Sequence, residues 1–185
     1  MSTQEKSIYI KYSYSRNHME IETASEEQLE EILALLSVVV KDMNSKGFFQ
    51  WGEDYPTREM FEKHIADKGL IVMIDDGMII GYVLITEEQD KEYAHVDWED
   101  KYGRSVVIHR LAIAPERQGQ GLANQLMDFA EGYARENGFT SIRLDTYSDN
   151  KRARSFYVGR GYQYRGITHF KQREKEYYCF EKIIH

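Results

Sequence analysis

The stretch Arg110-Leu-Ala-Ile-Ala-Pro-Glu-Arg-Gln-Gly-Gln-Gly-Leu-Ala123 carries the strongest structural signal in this chain. Its apolar start predicts a strand, its glycines predict a turn, and the residues from Leu122 onward follow a helical pattern. This layout leaves backbone N–H groups free at the positive end of a helix, where a phosphate binds favourably. Glycine also lets the main chain approach a ligand that a Cβ would keep away. The stretch therefore predicts a bound pyrophosphate.

The whole chain has the size and composition of one globular domain. It has 185 residues, of which 42% are hydrophobic and 30% charged, so it can bury a single core. The formal net charge of −7 argues against a nucleic-acid-binding protein, which usually presents a basic face. The same charge is compatible with a cationic substrate such as an amine. No run approaches the ~18 apolar residues of a membrane span, so we expect no membrane partner.

The cysteine count and the first residues of the chain indicate the expected cellular compartment and domain organisation. Cys179 is the single cysteine, which excludes an intrachain disulfide and a cysteine metal cluster, and we expect no metal. The first residues lack the apolar core of a signal peptide, so we expect a cytoplasmic protein. Residues 1–17 are polar and are expected to form a flexible segment, followed by a single domain over residues 18–185.

Periodicity and turn signals predict the element order β-α-α-β-β-β-α-β-α-β-β. Ser25 begins a capping box before the first helix, and Thr57 is expected to cap the second. Asp76-Gly77 predicts a tight hairpin. The acidic residues 87–103 are expected to form a loop over one end of the sheet. This order predicts a single α/β (α+β) domain around a mixed sheet.

A second motif, Asn150-Lys-Arg-Ala-Arg-Ser-Phe-Tyr157, follows the glycine turn along the chain. On a helix, Asn150, Ala153 and Tyr157 fall close to one face. Alone, this pattern favours a capped helix whose aromatic side chains pack in the core. The glycine turn is neither a Walker loop nor a Rossmann fingerprint, because no Gly-Lys-Ser/Thr follows and the third glycine is missing.

Together, and in this order, the two motifs resemble the GNAT family of N-acetyltransferases, over residues 19–182. The resemblance implies a mixed, mostly antiparallel central sheet flanked by helices, with a splayed strand pair for acetyl-CoA. It implies acetyl-CoA as the cosubstrate, with the pantetheine on the splayed strand and the pyrophosphate on the glycine turn. The residues so implied are Leu111, Ala112, Ile113, Gln118, Gly119, Gln120, Gly121, Leu122, Ala123, Asn150, Ala153 and Tyr157.

The resemblance also implies direct transfer of the acetyl group to a primary amine. Tyr157 occupies the general-acid position of the family, where a phenol protonates the departing thiolate. The backbone near Leu111 or Ala112 is implied to donate to the oxyanion. His109 lies on the same strand and, by alternation, on the same face as Leu111. It is a candidate base, because an ordinary histidine has a pKa of ~6.5; a hydrogen-bonded structural histidine is the equal alternative.

The acceptor site is less defined by sequence. The resemblance implies that the loop after the first helix forms part of the acceptor wall, which makes Phe49, Trp51 and Tyr55 candidates. Asp97 and Glu99 are candidate anchors for a cation, with solvated carboxylates as the default alternative. We expect an N-acetyltransferase that acts on a small-molecule or peptide amine. The alternatives are a protein acetyltransferase and a non-catalytic acyl-CoA sensor. The oligomeric state stays open, with a homodimer common among relatives.

Overall fold

The computed structural model describes residues 11–15, 18–52, 55–171 and 173–184. Within them, eight strands are formed: β1 (Lys11–Ser15), β2 (His18–Thr23), β3 (Leu70–Asp75), β4 (Met78–Thr86), β5 (Ser105–Ile113), β6 (Ser141–Tyr147), β7 (Gln163–Thr168) and β8 (Tyr177–Ile183). The α-helices of this part are α1 (Leu29–Ser45), α2 (Arg58–Ala66), α3 (Leu122–Glu136) and α4 (Lys151–Gly159). No helix of these ranges is long and apolar enough to cross a bilayer.

The strands form one sheet in the order β1-β2-β3-β4-β5-β6-β8-β7. β5 and β6 are parallel, whereas the other neighbouring pairs are antiparallel. The expected mixed, mostly antiparallel sheet is therefore confirmed.

Local signals in the sequence set several element boundaries as predicted. The Ser25 N–H donates to Gln28 Oε1 over 2.8 Å, which is one half of the expected capping box. Thr57 Oγ1 accepts from the Met60 N–H at 3.4 Å and begins α2. Asp76 and Gly77 take φ values of 48° and 78°, as a two-residue hairpin with two positive φ angles requires.

The sequence patterns did not predict β1, which lies within the expected flexible segment of residues 1–17. Lys11–Ser15 pairs antiparallel with β2, from Lys11 opposite Glu22 to Ser15 opposite His18. The segment reads Lys-Tyr-Ser-Tyr-Ser, and its tyrosines have a high strand propensity that the polar composition concealed. Residues 1–10, 16 and 17 of that prediction lie outside the described residues.

Apolar side chains pack on both faces of the sheet and fix the helices there. On one face, Leu126 of α3 packs in a cluster with Ile142 of β6, and both are fully buried. On the other face, Ile32 of α1 and Phe61 of α2 pack with Tyr82 of β4. Burying one such side chain stabilises the fold by about 1.5–3 kcal/mol. The helices thus flank the sheet, and β5 and β6 run through its middle.

A β-bulge interrupts β5 at its centre. Leu84 pairs with His109 and Tyr82 pairs with Ala112, so β5 has one residue more than β4 between these pairs. Arg110 lies in this bulge with a φ of 53°, a left-handed value that is rare for a residue with a Cβ. The register with β6 ends at Val107. β5 and β6 therefore separate beyond Val107, and a gap opens in the sheet.

The predicted loop over residues 87–103 is anchored to the sheet by Arg143 of β6. The guanidinium donates to Gln89 Oε1 at 2.7 Å and to the Asp100 carbonyl at 2.5 Å. It also lies 4.7 Å from the ring centre of Trp98 and donates to Glu181 Oε1 at 3.2 Å. The side chains of Arg143 and Glu181 are 9% and 0% exposed. The buried pair holds this loop against β6 and β8.

Arg143→Ala is expected to lower the free energy of unfolding by about 3 kcal/mol, because it leaves the buried Glu181 carboxylate with the single cation Arg165 at 3.4 Å. Urea unfolding followed by circular dichroism measures the effect. Lys101→Ala is the control, since Lys101 forms an exposed pair with Asp97, and its unfolding midpoint should match the wild type. Equal midpoints for the two variants would contradict the anchoring role of Arg143.

Candidate active site

The glycine turn has the geometry of an anion cradle. Gly119 and Gly121 both take a φ of 80°, and Gly121 is the N-cap residue of α3. A Cβ built on either glycine meets no atom within 4 Å, so both open outward. Among the described residues, the amides from Gly119 to Ala123 donate to no backbone carbonyl. These free N–H groups lie at the positive end of α3, where an anion is stabilised.

The side chain of Gln118 links the turn to its surroundings. Its Nε2 donates to the Ile113 carbonyl at 3.2 Å, and its Oε1 accepts from Arg152 at 3.0 Å. The second contact joins the turn to the beginning of α4. The two sequence motifs are therefore adjacent in space.

Asn150 caps α4 as the sequence predicted. Its Oδ1 accepts from the Ala153 N–H at 3.0 Å. Its Nδ2 makes no hydrogen bond within the described ranges, so this donor is available to a ligand. Asn150, Ala153 and Tyr157 line one cavity, which confirms that this face of the helix is shared.

That cavity has a volume of about 360 Å³ and begins where β5 and β6 separate. Leu111 of β5 and Asp145 of β6 both line it. Neither Arg110 nor Leu111 pairs with a residue of β4 or β6 in the described register. The main chain at Leu111 is thus available to an extended ligand that enters the gap. The opening matches the splayed strand pair that the resemblance implied.

Tyr157 reaches the cavity from within the core. The residue is 8% exposed, and its ring packs edge-on against Tyr162 at a centroid distance of 5.9 Å. Burial raises the pKa of the Tyr157 hydroxyl above its ordinary value of 10. The phenol therefore keeps its proton at neutral pH and can donate it to a developing anion.

An acidic cluster that sequence reasoning missed lines the same cavity. Asp90, His109 and Asp145 each present a polar atom, and these atoms lie within 4.8 Å of one another. Tyr93 donates a hydrogen bond to Asp145 Oδ1. Burial raises the pKa of the Asp145 carboxyl to about 7, although the Tyr93 hydrogen bond opposes the rise. Burial also raises the pKa of Asp90. The cluster can hold one small cation and can exchange a proton near neutral pH.

His109 lies in the cavity wall. The expectation that it shares a face with Leu111 was wrong, because the bulge at Arg110 reverses the alternation of β5. The His109 ring stacks on Tyr93 at 6.5 Å, beneath the loop, whereas Leu111 packs against the core on the α3 side. Burial, and then the Arg110 charge, lower the pKa of His109 to about 3. The imidazole is therefore neutral at physiological pH and is a weak base.

Of the three aromatic candidates for the acceptor wall, two line the cavity and one does not. Trp51, which is 8% exposed, and Tyr55 line the cavity as predicted. Phe49 is 59% exposed and does not line it. Trp51 packs in the apolar cluster that contains Ile32 of α1 and Phe61 of α2. Phe49, two residues before it, is left toward solvent.

The predicted acidic anchors lie outside the cavity, which corrects that expectation. Asp97 forms an exposed ion pair with Lys101 at 2.9 Å, and Glu99 pairs with Arg165. The Glu99 N–H also donates to the buried Glu181 carboxylate at 2.6 Å, so this part of the loop is fixed away from the opening. Asp90 and Glu92, from the beginning of the same loop, line the cavity instead.

The chain is similar to known acetyltransferases. The profile of the acetyltransferase (GNAT) family matches residues 21–162. The uncharacterized N-acetyltransferase YesJ of Bacillus subtilis is 26% identical over 85% of this chain and 86% of its own length. The solved structure of a GNAT-family acetyltransferase from Streptococcus agalactiae is 25% identical, with a TM-score of 0.77 over 90% of this chain and 95% of that one. The PaiA N-acetyltransferase of Thermoplasma acidophilum, solved with coenzyme A, shares the fold at 17% identity and a TM-score of 0.67, over 89% of this chain and 98% of that one.

Asp145→Asn is expected to gain stability relative to the wild type as the pH rises. Burial raises the Asp145 pKa from 3.8 to about 7, so the folded protein holds a proton that the unfolded chain has released. Between pH 5 and pH 8 this should cost the wild type about 2–3 kcal/mol that the asparagine variant does not lose. Urea unfolding at both pH values measures the difference.

Asp76→Asn, at the exposed hairpin turn, is the control, and it should differ from the wild type equally at both pH values. A difference between Asp145→Asn and the wild type that stays constant from pH 5 to pH 8 would show that Asp145 is not a buried acid.

Proposed function

Because the chain belongs to the acetyltransferase (GNAT) family, we propose that it transfers an acetyl group from acetyl-CoA to a primary amine of a small molecule or peptide. One observation carries the proposal: the cavity between β5 and β6 contains the acidic cluster at Asp145, and Gln118 joins the anion cradle at Gly119–Ala123 to Ile113 of β5 and to α4, whose residues Asn150, Ala153 and Tyr157 line that cavity. The anion cradle suits the phosphates of CoA, and the acidic cluster suits the ammonium group of an acceptor.

The residues of the gap fit acetyl-CoA, which supplies an activated thioester. The free amides from Gly119 to Ala123 would hold the pyrophosphate. The unpaired main chain at Leu111 would pair with the pantetheine arm, and Asn150 would donate to it through Nδ2. The coenzyme A bound to the PaiA relative supports this assignment.

Asp145 is the base that the geometry supports best. An amine has an ordinary pKa of ~10 and arrives protonated, so a group in the cavity must remove a proton. A carboxylate with a pKa of about 7 both attracts the ammonium and accepts its proton near neutral pH. His109 stays neutral beside Asp145 and positions the amine by hydrogen bonding. Tyr157, which lines the same cavity, would protonate the departing thiolate.

The cavity supports a small acceptor or a chain end. Its volume of about 360 Å³ lies at the lower end for small-molecule sites. Trp51 and Tyr55 close one side of it, which restricts the approach of a folded protein segment. The buried acid and the buried phenol favour catalysis over an acyl-CoA sensor, which requires neither.

Gly121→Val is expected to weaken CoA binding at least tenfold, because a side chain would project into the open space above the free amides. Isothermal titration calorimetry with CoA measures the affinity. Gly138→Val is the matched control: its φ of 72° is also positive, so the backbone strain of about 1–2 kcal/mol is similar, but Gly138 follows the far end of α3. Equal CoA affinities of the two variants would remove the glycine turn from the site.

Tyr157→Phe is expected to lower kcat about 100-fold or more while CoA affinity changes little, since only the proton donor is lost. Release of the CoA thiol, with the best acceptor from a panel of amines, measures kcat. Tyr162→Phe is the control, because its hydroxyl is buried without a partner and lies outside the cavity. A kcat of Tyr157→Phe equal to that of the wild type would exclude Tyr157 from the proton transfer.

Asp145→Asn is expected to remove the acidic limb of the pH–rate profile. In the wild type the rate should rise through about pH 7 as the carboxyl loses its proton. His109→Gln should keep that limb, because the pKa of His109 lies near 3. Loss of the limb in His109→Gln, with its retention in Asp145→Asn, would assign the base to the histidine.

A further inference from the structure

Arg110 occupies an unusual position in the cavity wall. Its backbone sits in the bulge with a φ of 53°, and its side chain extends toward α2. Nη1 lies 2.9 Å from His64 Nδ1, and Nη2 lies 3.6 Å from Met60 Sδ. The guanidinium also lies 5.4 Å from the ring centre of Tyr55. These contacts hold its orientation, and none of them supplies a negative charge.

The guanidinium forms no salt bridge among the described residues, although its charge acts on Asp90 at longer range. No ion pair of this part of the chain includes Arg110, and its Nε is buried without a hydrogen-bond partner. The neighbouring His64 carries no charge at neutral pH, because burial and the Arg110 charge lower the pKa of His64 to about 4. Its imidazole therefore does not balance the positive charge of Arg110. A partly buried cation without a salt bridge is costly, and such a cost is offset when a ligand brings the anion.

The cavity therefore contains charges of both signs. Arg110 lines it, and so do Asp90 and Asp145, whose carboxylates cluster with His109. An amine and an anion that belong to one small molecule can satisfy the acids and the arginine at once.

We propose that the acceptor carries an anionic group close to its amine, a carboxylate or a phosphonate, and that Arg110 binds this group. The inference rests on the proposed function, since it places the amine at the acidic cluster. A planar guanidinium presents pairs of N–H groups at the spacing of the two oxygens of a carboxylate or phosphoryl group. The acceptor class is then that of amino acids and aminoalkyl phosphonates. A simple amine or polyamine would leave Arg110 without a partner.

Calorimetry with matched ligand pairs tests this on the CoA-bound protein. One arm compares amino acids that carry acidic, basic, aliphatic and aromatic side chains with their decarboxylated amines. The other arm compares 2-aminoethylphosphonate with ethanolamine. At least one anionic ligand should bind ten or more times tighter than its partner, and the arm in which it appears identifies the anion.

Arg110→Gln should abolish this preference. Arg58→Gln, which removes an exposed arginine of α2 that pairs with Glu30, should retain it. Should Arg110→Gln fail to fold, Arg110→Lys keeps the charge without the planar fork, and it should reduce the preference. Anionic ligands that bind no better than their partners, or a preference that survives in whichever Arg110 variant folds, would overturn the proposal.

Thiol release with the same pairs separates this inference from the proposed function. Acetyl transfer to amines without any anion preference would overturn the Arg110 assignment alone. An Arg110-dependent anion preference without acetyl transfer to any member would overturn the proposed function and leave the anion site in place.

Discussion

The bulge at Arg110 is the constraint on which the site depends. One extra residue in β5 ends its regular pairing with β4, and its parallel pairing with β6 stops at Val107. A regular β5 would pair with β6 along its whole length and close the gap. The bulge also leaves the main chain of Leu111 unpaired and sends the Arg110 side chain into the cavity wall. The backbone strain at Arg110, of order 1–3 kcal/mol, is thus located where the sheet must open.

Partial burial then determines the pKa values of the titratable groups that line the gap. The loop over residues 87–103, held by Arg143, covers Asp145 in part, through the hydrogen bond from Tyr93. Desolvation raises the pKa of Asp145 into the neutral range and lowers the pKa of His109 far below it. The proposed mechanism uses this difference, with Asp145 as the proton acceptor and His109 as its neutral neighbour. Tyr157 keeps its proton for the same physical reason.

The features predicted from sequence are those that local chemistry determines. The positive φ values of Gly119 and Gly121 and the cap at Asn150 depend on a few neighbouring residues, so they could be predicted. Asp145 and Asp90 could not, because they meet only through the separation of β5 from β6 and the folding of a long loop. The signal that could have found Asp145 is that it is the single acidic residue of the strand Ser-Ile-Arg-Leu-Asp-Thr-Tyr. Asp97 and Glu99 were chosen by charge alone, and charge does not reveal that other basic side chains already pair with them.

A crystal structure with acetyl-CoA tests the central claim most directly, since it shows whether the gap made by the bulge is the site of transfer. The thioester carbonyl oxygen should lie within hydrogen-bond distance of the Leu111 N–H, between β5 and β6, with Asp145 and Tyr157 on either side. A thioester bound outside this gap, or a complex in which β5 pairs with β6 beyond Val107, would contradict it.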